Sequence, residues 1–300
     1  MDKEQILYED KDIIVCHKPA GIATQTAKVG QRDMVSEVAN YLAAASKADS
    51  KSNKRPYVGL IHRLDQPVEG ILVFAKNQRA AGELSKQISD GRMEKYYYAV
   101  VALDRGAAEP DIEVERMPDA ERVIGKTKKT LDEEVTSTKT WKTLINYLYK
   151  DNKLNTSTVV NRNQNGAKRA ELHYSLLSCM PVKDFFKKYD NITDNNIAYT
   201  KTESVTPILS DYENTDIALA QIKLITGRHH QIRVQMSNAG MSLLGDYKYA
   251  DDKTMQLAKQ LDQKQVALCA YKLEFNHPIT GKRMSFHRGP ESGIFQIFSL

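Results

Sequence analysis

The chain has 300 residues, of which 41% are hydrophobic and 27% charged, with a net charge of +5 at pH 7. This composition is typical of a globular protein with a core, and no apolar run reaches the roughly 20 residues of a membrane span. Three isolated cysteines (Cys16, Cys179 and Cys269) exclude a disulfide framework and a CxxC metal site. We therefore expect a cytoplasmic, metal-free protein.

Hydrophobic periodicity predicts strands and helices that alternate along the chain. Strands are predicted over 13–17, 70–75, 95–101, 171–177, 217–225 and 266–275. Helices are predicted over 34–45, from Asn77 to Asp90-Gly91, and over 231–238. Strands outnumber helices and often follow one another, which indicates an α+β fold with a mixed, largely antiparallel central sheet and flanking helices.

Two polar segments, 104–139 and 181–216, are longer than ordinary connections. The first is rich in Lys, Glu and Thr, while the second holds four basic and seven acidic residues. The second segment therefore carries −3, and the rest of the chain carries +8. We predict a single catalytic domain over 1–300, with both segments as peripheral hairpins.

A polar loop with candidate chemistry follows the apolar segment Gly59-Leu60-Ile61. It reads His62-Arg63-Leu64-Asp65, and Pro67 and Gly70 restrain the backbone that leads to the next strand. Active-site groups are often held on loops anchored in this way. From the spacing alone, a solvated surface turn with an Arg–Asp pair remains the alternative.

A second candidate segment is 226–235, which reads TGRHHQIRVQ. A glycine turn after a strand, followed by a helix start rich in cations and donors, is typical of anion binding. The adjacent histidines do not face one another on a helix, and no carboxylate or cysteine completes a metal site. The alternative is a basic helix terminus facing solvent.

The third candidate segment is Lys95-Tyr96-Tyr97-Tyr98-Ala99. In a strand, Tyr97 shares its face with Lys95 and Ala99, whereas Tyr96 and Tyr98 lie on the other face. Tyr97 is thus available to stack on a flat ligand, although packing in the core is the alternative.

Together these segments resemble the RluA-type pseudouridine synthases, and the resemblance covers nearly the whole chain outside the two insertions. Six motifs carry it in order: Asp12-Ile13-Ile14-Val15 with Lys18-Pro19-Ala20-Gly21; HRLD with Gly70 and Ala75-Lys76; Lys95-x-Tyr97-x-Ala99; Lys168-x-Ala170 with Tyr174; GRHHQIRV with Gly240, Leu244-Gly245-Asp246 and Tyr249; and Leu268-Cys269-Ala270 with Phe275-x-His277-Pro278. The resemblance implies the pseudouridine synthase fold, two lobes around a central cleft, in the minimal form without an S4 domain.

The resemblance also implies the function and the site. The expected reaction is isomerisation of uridine to pseudouridine in structured rRNA or tRNA, by a monomer that needs neither cofactor nor metal. Asp65, Tyr97 and Arg233 are implied as catalytic. The implied substrate-binding residues are His62, Arg63, Arg228, His230 and Gln231. Asp65 would act on the sugar or the base, and Arg233 would supply the cation that keeps it ionised. Tyr97 would stack on the uracil and help to remove the C5 proton after rotation, and Arg63 would fill the space left by the flipped nucleotide.

Four departures from the family pattern bear on substrate identity. Val68-Glu69 stands where Thr-Ser is usual, His229 replaces Thr or Ser, and Gln235 and Cys269 each replace a histidine. Glu69 is expected to place a negative charge beside the phosphate-binding surface.

Two other functional classes stay open at this point. One is a non-catalytic RNA-binding or folding factor on the same scaffold, which the intact set of Asp65, Tyr97 and Arg233 disfavours. The other is a carboxylate glycoside hydrolase, which would need a second acid, and Glu69 is the nearby candidate.

Overall fold

The strands form one mixed sheet in a computed structural model that describes residues 1–28, 30–49, 55–105, 140–194, 209–298 and 300. Within these ranges the strands are β1 (Ile6–Glu9), β2 (Ile13–Lys18), β3 (Gly59–Leu60), β4 (Glu69–Ala75), β5 (Glu94–Asp104), β6 (Lys142–Asp151), β7 (Thr156–Val160), β8 (Lys168–Pro181), β9 (Thr215–Leu224), β10 (Met241–Leu243), β11 (Leu268–Asn276) and β12 (Arg283–His287). The helices are α1 (Met34–Asp49), α2 (Gln78–Ser89), α3 (Val182–Asp194), α4 (Gln231–Asn238) and α5 (Asp252–Gln260), with 3-10 turns at Lys3–Gln5, Leu209–Tyr212 and Gly293–Phe298. None of the helices in the described ranges is long and apolar enough to cross a bilayer.

The strand order contains a single parallel pairing among the described strands. The order is β1-β2-β4-β11-β5-β9-β8-β6-β7, with β3 on β4, β10 on β5 and β12 on β11. The exception to antiparallel pairing is β4 with β11, at Glu69–Cys269 and Gly70–Ala270. The predicted α+β class, with a mixed and largely antiparallel sheet, is confirmed.

Apolar residues on the two faces of the sheet build separate core clusters. On one face, α1 and α4 contribute Met34, Val38 and Ile232 to the cluster that contains Tyr97 and Ala99. On the other face, α3 and α5 pack with the 3-10 turn near the carboxyl terminus. Burial of these apolar side chains on both faces is the main force that holds helices and sheet together. The face that carries Tyr97 is the one on which the candidate site forms.

The predicted elements agree with the structure to within a few residues at their ends. Asn77 caps α2 as expected, because its side chain accepts a hydrogen bond from the Ala80 backbone N–H. The alternation predicted for β5 is also observed, since Tyr98 stacks on Tyr271 on the face opposite Tyr97, with ring centroids 3.8 Å apart. The patterns do not predict the short strands β1, β3, β10 and β12, the β6–β7 hairpin, or the helices α3 and α5.

The structure corrects the expectation for the acidic segment 181–216. Its first part is the helix α3, not a hairpin, and Val182 and Phe185 of this helix are buried in the second core cluster together with Tyr212. This part of the segment is therefore integral to the core. Residues 106–139, nearly all of the other predicted insertion, and 195–208 lie outside the described residues.

Gly70 occupies a position that only glycine fits, and it provides a test of the fold. Its φ is 135°, and a Cβ there would lie 2.5 Å from the backbone nitrogen and oxygen of Ala270. We expect Gly70→Ala to lower the free energy of unfolding by more than about 3 kcal/mol, because β11 would have to move away from β4. Urea denaturation measures this loss.

Gly91 is the matched control, because it also has a positive φ, 75°, but a Cβ there would meet no atom of the described residues within 4 Å. Gly91→Ala is expected to cost only the backbone strain, about 1 kcal/mol. Equal losses for the two variants would show that the close approach of β11 to Gly70 is not what matters.

Candidate active site

Three segments that are far apart in the sequence meet at Asp65. The loop between β3 and β4 carries Asp65, β5 carries Tyr97, and α4 carries Arg233. Arg233 Nη1 lies 3.4 Å from Asp65 Oδ2, and His230 Nε2 lies 3.8 Å from the same oxygen. The carboxylate of Asp65 raises the pKa of Tyr97 by its charge, so the two side chains are also electrostatic neighbours. The three residues implied as catalytic therefore share one site.

Hydrogen bonds from the amino-terminal segment hold the loop that carries Asp65. The Thr24 hydroxyl donates to the Leu64 carbonyl at 2.7 Å and accepts from the Leu64 N–H at 3.0 Å. The Lys18 ammonium donates to three backbone carbonyls, those of Pro19, Ile22 and Gln66, at 2.9, 2.7 and 3.2 Å. These bonds fix the backbone on both sides of Asp65, which preorganises its carboxylate.

Asp246 orients Arg233. Arg233 Nε and Nη2 donate to the two carboxylate oxygens of Asp246 at 2.8 and 2.6 Å, a bidentate pair between buried residues. Asp246 Oδ1 also accepts from the backbone N–H groups of Lys248 and Tyr249. The Tyr249 ring lies 5.0 Å from the guanidinium carbon. With Nε and Nη2 engaged in this way, Nη1 is the group directed at Asp65.

Burial and charge act in opposite directions on Asp65. Burial raises the pKa of Asp65 above its ordinary value, and the Arg233 guanidinium opposes that rise. Since 29% of the Asp65 side chain is still exposed, this side chain is reachable from solvent. Burial also raises the pKa of Tyr97 well above its ordinary range, so Tyr97 is a neutral phenol at physiological pH.

The two histidines of the GRHH segment are neutral at pH 7. Burial lowers the pKa of His229 to about 4, and burial together with Arg233 lowers the pKa of His230 to about 3. His230 Nδ1 shares a hydrogen bond of 2.6 Å with the Tyr249 hydroxyl, and His229 contacts Ser157 Oγ at 2.9 Å. They join α4 to the β6–β7 hairpin and add no positive charge to the site.

The remaining residues implied as substrate-binding lie in different environments. Arg63 is exposed on the loop that carries Asp65. Arg228 is exposed and donates from Nε to the Arg169 carbonyl. His62 accepts from the Val73 N–H through Nε2, and burial lowers its pKa to about 3. These placements leave the charge of Arg63 directed to solvent.

Gln231 is 3% exposed, and its side-chain amide is used within the protein. The amide accepts from Thr226 Oγ1 and the Arg228 N–H, and it donates to the Glu171 carbonyl and to Gln235 Oε1. A direct substrate contact by Gln231 would have to break these bonds. The arrangement instead shapes the loop that precedes α4.

The structure corrects the expectation for Glu69. This side chain is 4% exposed, and its carboxylate accepts from the backbone N–H groups of Glu291 and Ser292 at 3.0 and 3.2 Å. It therefore adds no charge to a phosphate-binding surface and is not available as the second acid of a glycoside hydrolase. Gln235 is likewise buried and donates to Asn146 Oδ1 at 2.8 Å, while Cys269 is buried.

Two groups of side chains could hold a metal ion in the described part of the chain. They are Asp10, Asp12 and His277, and His17, Glu69 and Glu291. Neither includes a residue of the loop that carries Asp65. Asp10 is already paired with His277 at 2.8 Å, and Glu291 with Arg288 at 2.6 Å.

Four residues that position the candidate site are given no role by the sequence patterns. Lys18, Asp246 and Tyr249 stood inside motifs that supported the resemblance, so position in a motif was the available signal. Thr24 stood in no motif, and its contact with Leu64 spans 40 residues of sequence. Side-chain bonds over such separations are not encoded in local patterns.

Comparison with known proteins identifies the family and the fold. A family model described as RNA pseudouridylate synthase matches residues 12–238. Ribosomal large subunit pseudouridine synthase D of Zymomonas mobilis is 25% identical over 299 residues, which cover 99% of this chain and 72% of the relative. Ribosomal large subunit pseudouridine synthase C of Vibrio cholerae is 24% identical over 294 residues, covering 98% and 68%. The fold is similar to that of human RNA Pseudouridylate Synthase Domain Containing 4, with a TM-score of 0.58 at 19% identity over 99% of this chain and 92% of that one.

Proposed function

The chain belongs to the RNA pseudouridylate synthase family, and we propose that it isomerises uridine in structured rRNA or tRNA with Asp65 as its single catalytic carboxylate. The observation that carries this proposal is the carboxylate of Asp65 beside Arg233 and within electrostatic reach of the buried Tyr97. The relatives described as ribosomal large subunit pseudouridine synthases favour rRNA as the substrate class.

The reaction exchanges one glycosidic bond for another. The N1–C1′ bond of uridine breaks, the uracil rotates, and a C5–C1′ bond forms, while C5 loses a proton and N1 gains one. The ionised Asp65 acts on the sugar or on the base to begin this sequence. Arg233 supports the ionised form, since an adjacent cation favours a carboxylate that burial would otherwise protonate.

Tyr97 serves as a neutral stacking surface in this proposal. Its pKa is raised by burial, so the phenol does not act as a free phenolate base. The proton from C5 therefore needs another acceptor, and Asp65, whose charge acts on Tyr97, is the available carboxylate. The uracil must leave the RNA stack to reach this position, and Arg63, exposed two residues before Asp65, occupies the space that the uracil leaves in this proposal.

The rate is expected to fall in acid as Asp65 becomes protonated. Because burial raises the pKa of Asp65, the acid limb of kcat/KM should lie above the value of about 3.9 for a free aspartate. Removing the opposing guanidinium in Arg233→Gln should move this limb to still higher pH. A limb at or below about 3.9 in the wild type, or a shift to lower pH in the variant, would contradict this assignment.

Mapping of RNA from a deletion strain tests the proposal in the cell. Carbodiimide mapping or mass spectrometry should show at least one pseudouridine that is present with the wild-type gene and absent without it. Restoring the gene should restore the modification, and the Asp65→Ala variant should not. If no uridine differs between the strains, or if Asp65→Ala restores the modification, the chain is an RNA-binding factor and not the proposed enzyme.

A further inference from the structure

Lys95 is a buried cation without a counter-charge. It lies two residues before Tyr97 on β5, and its side chain is 9% exposed. Within the described ranges it has neither a carboxylate in ion-pair distance nor a hydrogen-bond partner, and burial alone lowers its pKa. Such an ammonium costs free energy, because burial of most of the residue removes water from the charge without supplying a partner, while the nitrogen itself keeps some contact with solvent.

The other buried cations of the site are satisfied by the protein. Arg233 is held by both oxygens of Asp246, and Lys18, which is fully buried, donates to three backbone carbonyls. His229 and His230 are neutral at pH 7 because burial lowers their pKa values. Lys95 is therefore the exception among these cations, because its ammonium has no protein partner and can bind a ligand.

The loop before α4 passes beside the Lys95 ammonium. A Cβ on Gly227 would lie 3.5 Å from Lys95 Nζ, in van der Waals contact with it, so a side chain at this position would cover one side of the nitrogen. His62, from the loop that carries Asp65, is close enough for the Lys95 charge to lower its pKa. The positive end of the α4 dipole faces the same loop. Lys95 thus lies between the two segments that carry Asp65 and Arg233.

We propose that Lys95 binds a backbone phosphate of the RNA next to the flipped uridine, and that Gly227 opens the path to it. This inference rests on the proposed function, because it assigns a phosphodiester ligand to the same site. The bound phosphate supplies the counter-charge that the protein lacks. A phosphate contact by Lys95 positions the nucleotide without reading its base.

Stability measurements distinguish a ligand-binding lysine from a structural one. Lys95→Met removes an unpaired buried charge, so its Tm should equal or exceed that of the wild type. Lys18→Met is the matched control, because Lys18 is also a buried lysine but donates to three carbonyls. This control should lose about 5 °C or more in Tm.

RNA binding is measured with a ten-nucleotide oligouridylate by fluorescence anisotropy at several salt concentrations. Lys95→Met should bind about tenfold more weakly, and the slope of log affinity against log salt should fall by about 0.7, the contribution of one phosphate on a single strand. Lys223→Met removes the same charge on β9, where Lys223 is paired with Glu94 at 3.0 Å, and should keep the wild-type slope. Gly227→Ala, which keeps the charge, should also weaken binding.

The slope of log affinity against log salt decides whether Lys95 binds a phosphate. An unchanged slope in folded Lys95→Met overturns the assignment of Lys95, as does an equal loss in Lys223→Met. If Lys95→Met does not fold, undiminished binding by Gly227→Ala overturns it. Failure of the wild type to bind the oligouridylate at all would instead count against the proposed function. The binding assay does not depend on isomerisation, so the two failures are distinguishable.

Discussion

Asp65→Asn is expected to abolish uridine isomerisation, with a loss in kcat of about 10⁴-fold or more. The asparagine keeps the shape of the side chain but has no carboxylate to act on the sugar or the base. Turnover of RNA from a deletion strain by the purified variant, followed by mass spectrometry of nucleosides, measures the loss.

The same variant should remain folded and bind RNA. Because burial raises the pKa of Asp65, the ionised carboxylate opposes folding at neutral pH, and a neutral amide removes that cost. Arg233 keeps its two bonds to Asp246 in this variant. The Tm of Asp65→Asn should therefore be equal to or higher than that of the wild type. Residual activity within tenfold of the wild type would exclude Asp65 as the essential group.

Asp246→Ala is expected to produce the largest loss of stability among the site variants. It leaves the buried guanidinium of Arg233 without its bidentate partner and removes the acceptor for the Lys248 and Tyr249 N–H groups. Breaking one side of a buried ion pair costs about 3–5 kcal/mol. Urea denaturation measures the free energy of unfolding, and the exposed pair Asp184–Lys187 is the control, with a loss of less than about 1 kcal/mol for Asp184→Ala.

A milder variant separates the two roles of Asp246. In the wild type, the negative charge of Asp246 raises the pKa of Asp65. Asp246→Asn keeps the size of the side chain but removes this charge. The acid limb of kcat/KM should therefore move to lower pH in Asp246→Asn, while kcat falls because Arg233 is held less firmly. A purely structural role would reduce stability without moving the limb. An unchanged limb would show that the charge of Asp246 does not act on Asp65.

Local patterns predicted those parts of the fold that depend on local chemistry. The apolar run of β4, the alternation of β5 and the Asn77 cap of α2 each depend on neighbouring residues, and each is observed. The acidic composition of 181–216 was misleading, since α3 buries Val182 and Phe185 in the second core cluster, although charged residues lie between and around them in the sequence. The overall composition of a segment does not show that a few apolar residues lie on one face of a helix.

In the candidate site too, some features could be predicted from the sequence and others could not. The resemblance implied Asp65, Tyr97 and Arg233 as one catalytic set, and the structure brings the three side chains close to one another. The bonds that orient them could not be predicted, because Thr24–Leu64 and Lys18–Gln66 join residues 40 and 48 positions apart. The burial of Glu69 and of Lys95 likewise depends on which strand faces which, a property of the assembled sheet.

The most direct test of the central claim follows the hydrogen on C5 of uridine. Isomerisation forms a C5–C1′ bond, so tritium placed at C5 must be released to water for each uridine converted. The purified protein should release tritium from [5-³H]uridine-labelled RNA of the deletion strain, and the folded Asp65→Asn variant should release none. Failure of the wild type to release tritium, or equal release by the variant, would contradict the account.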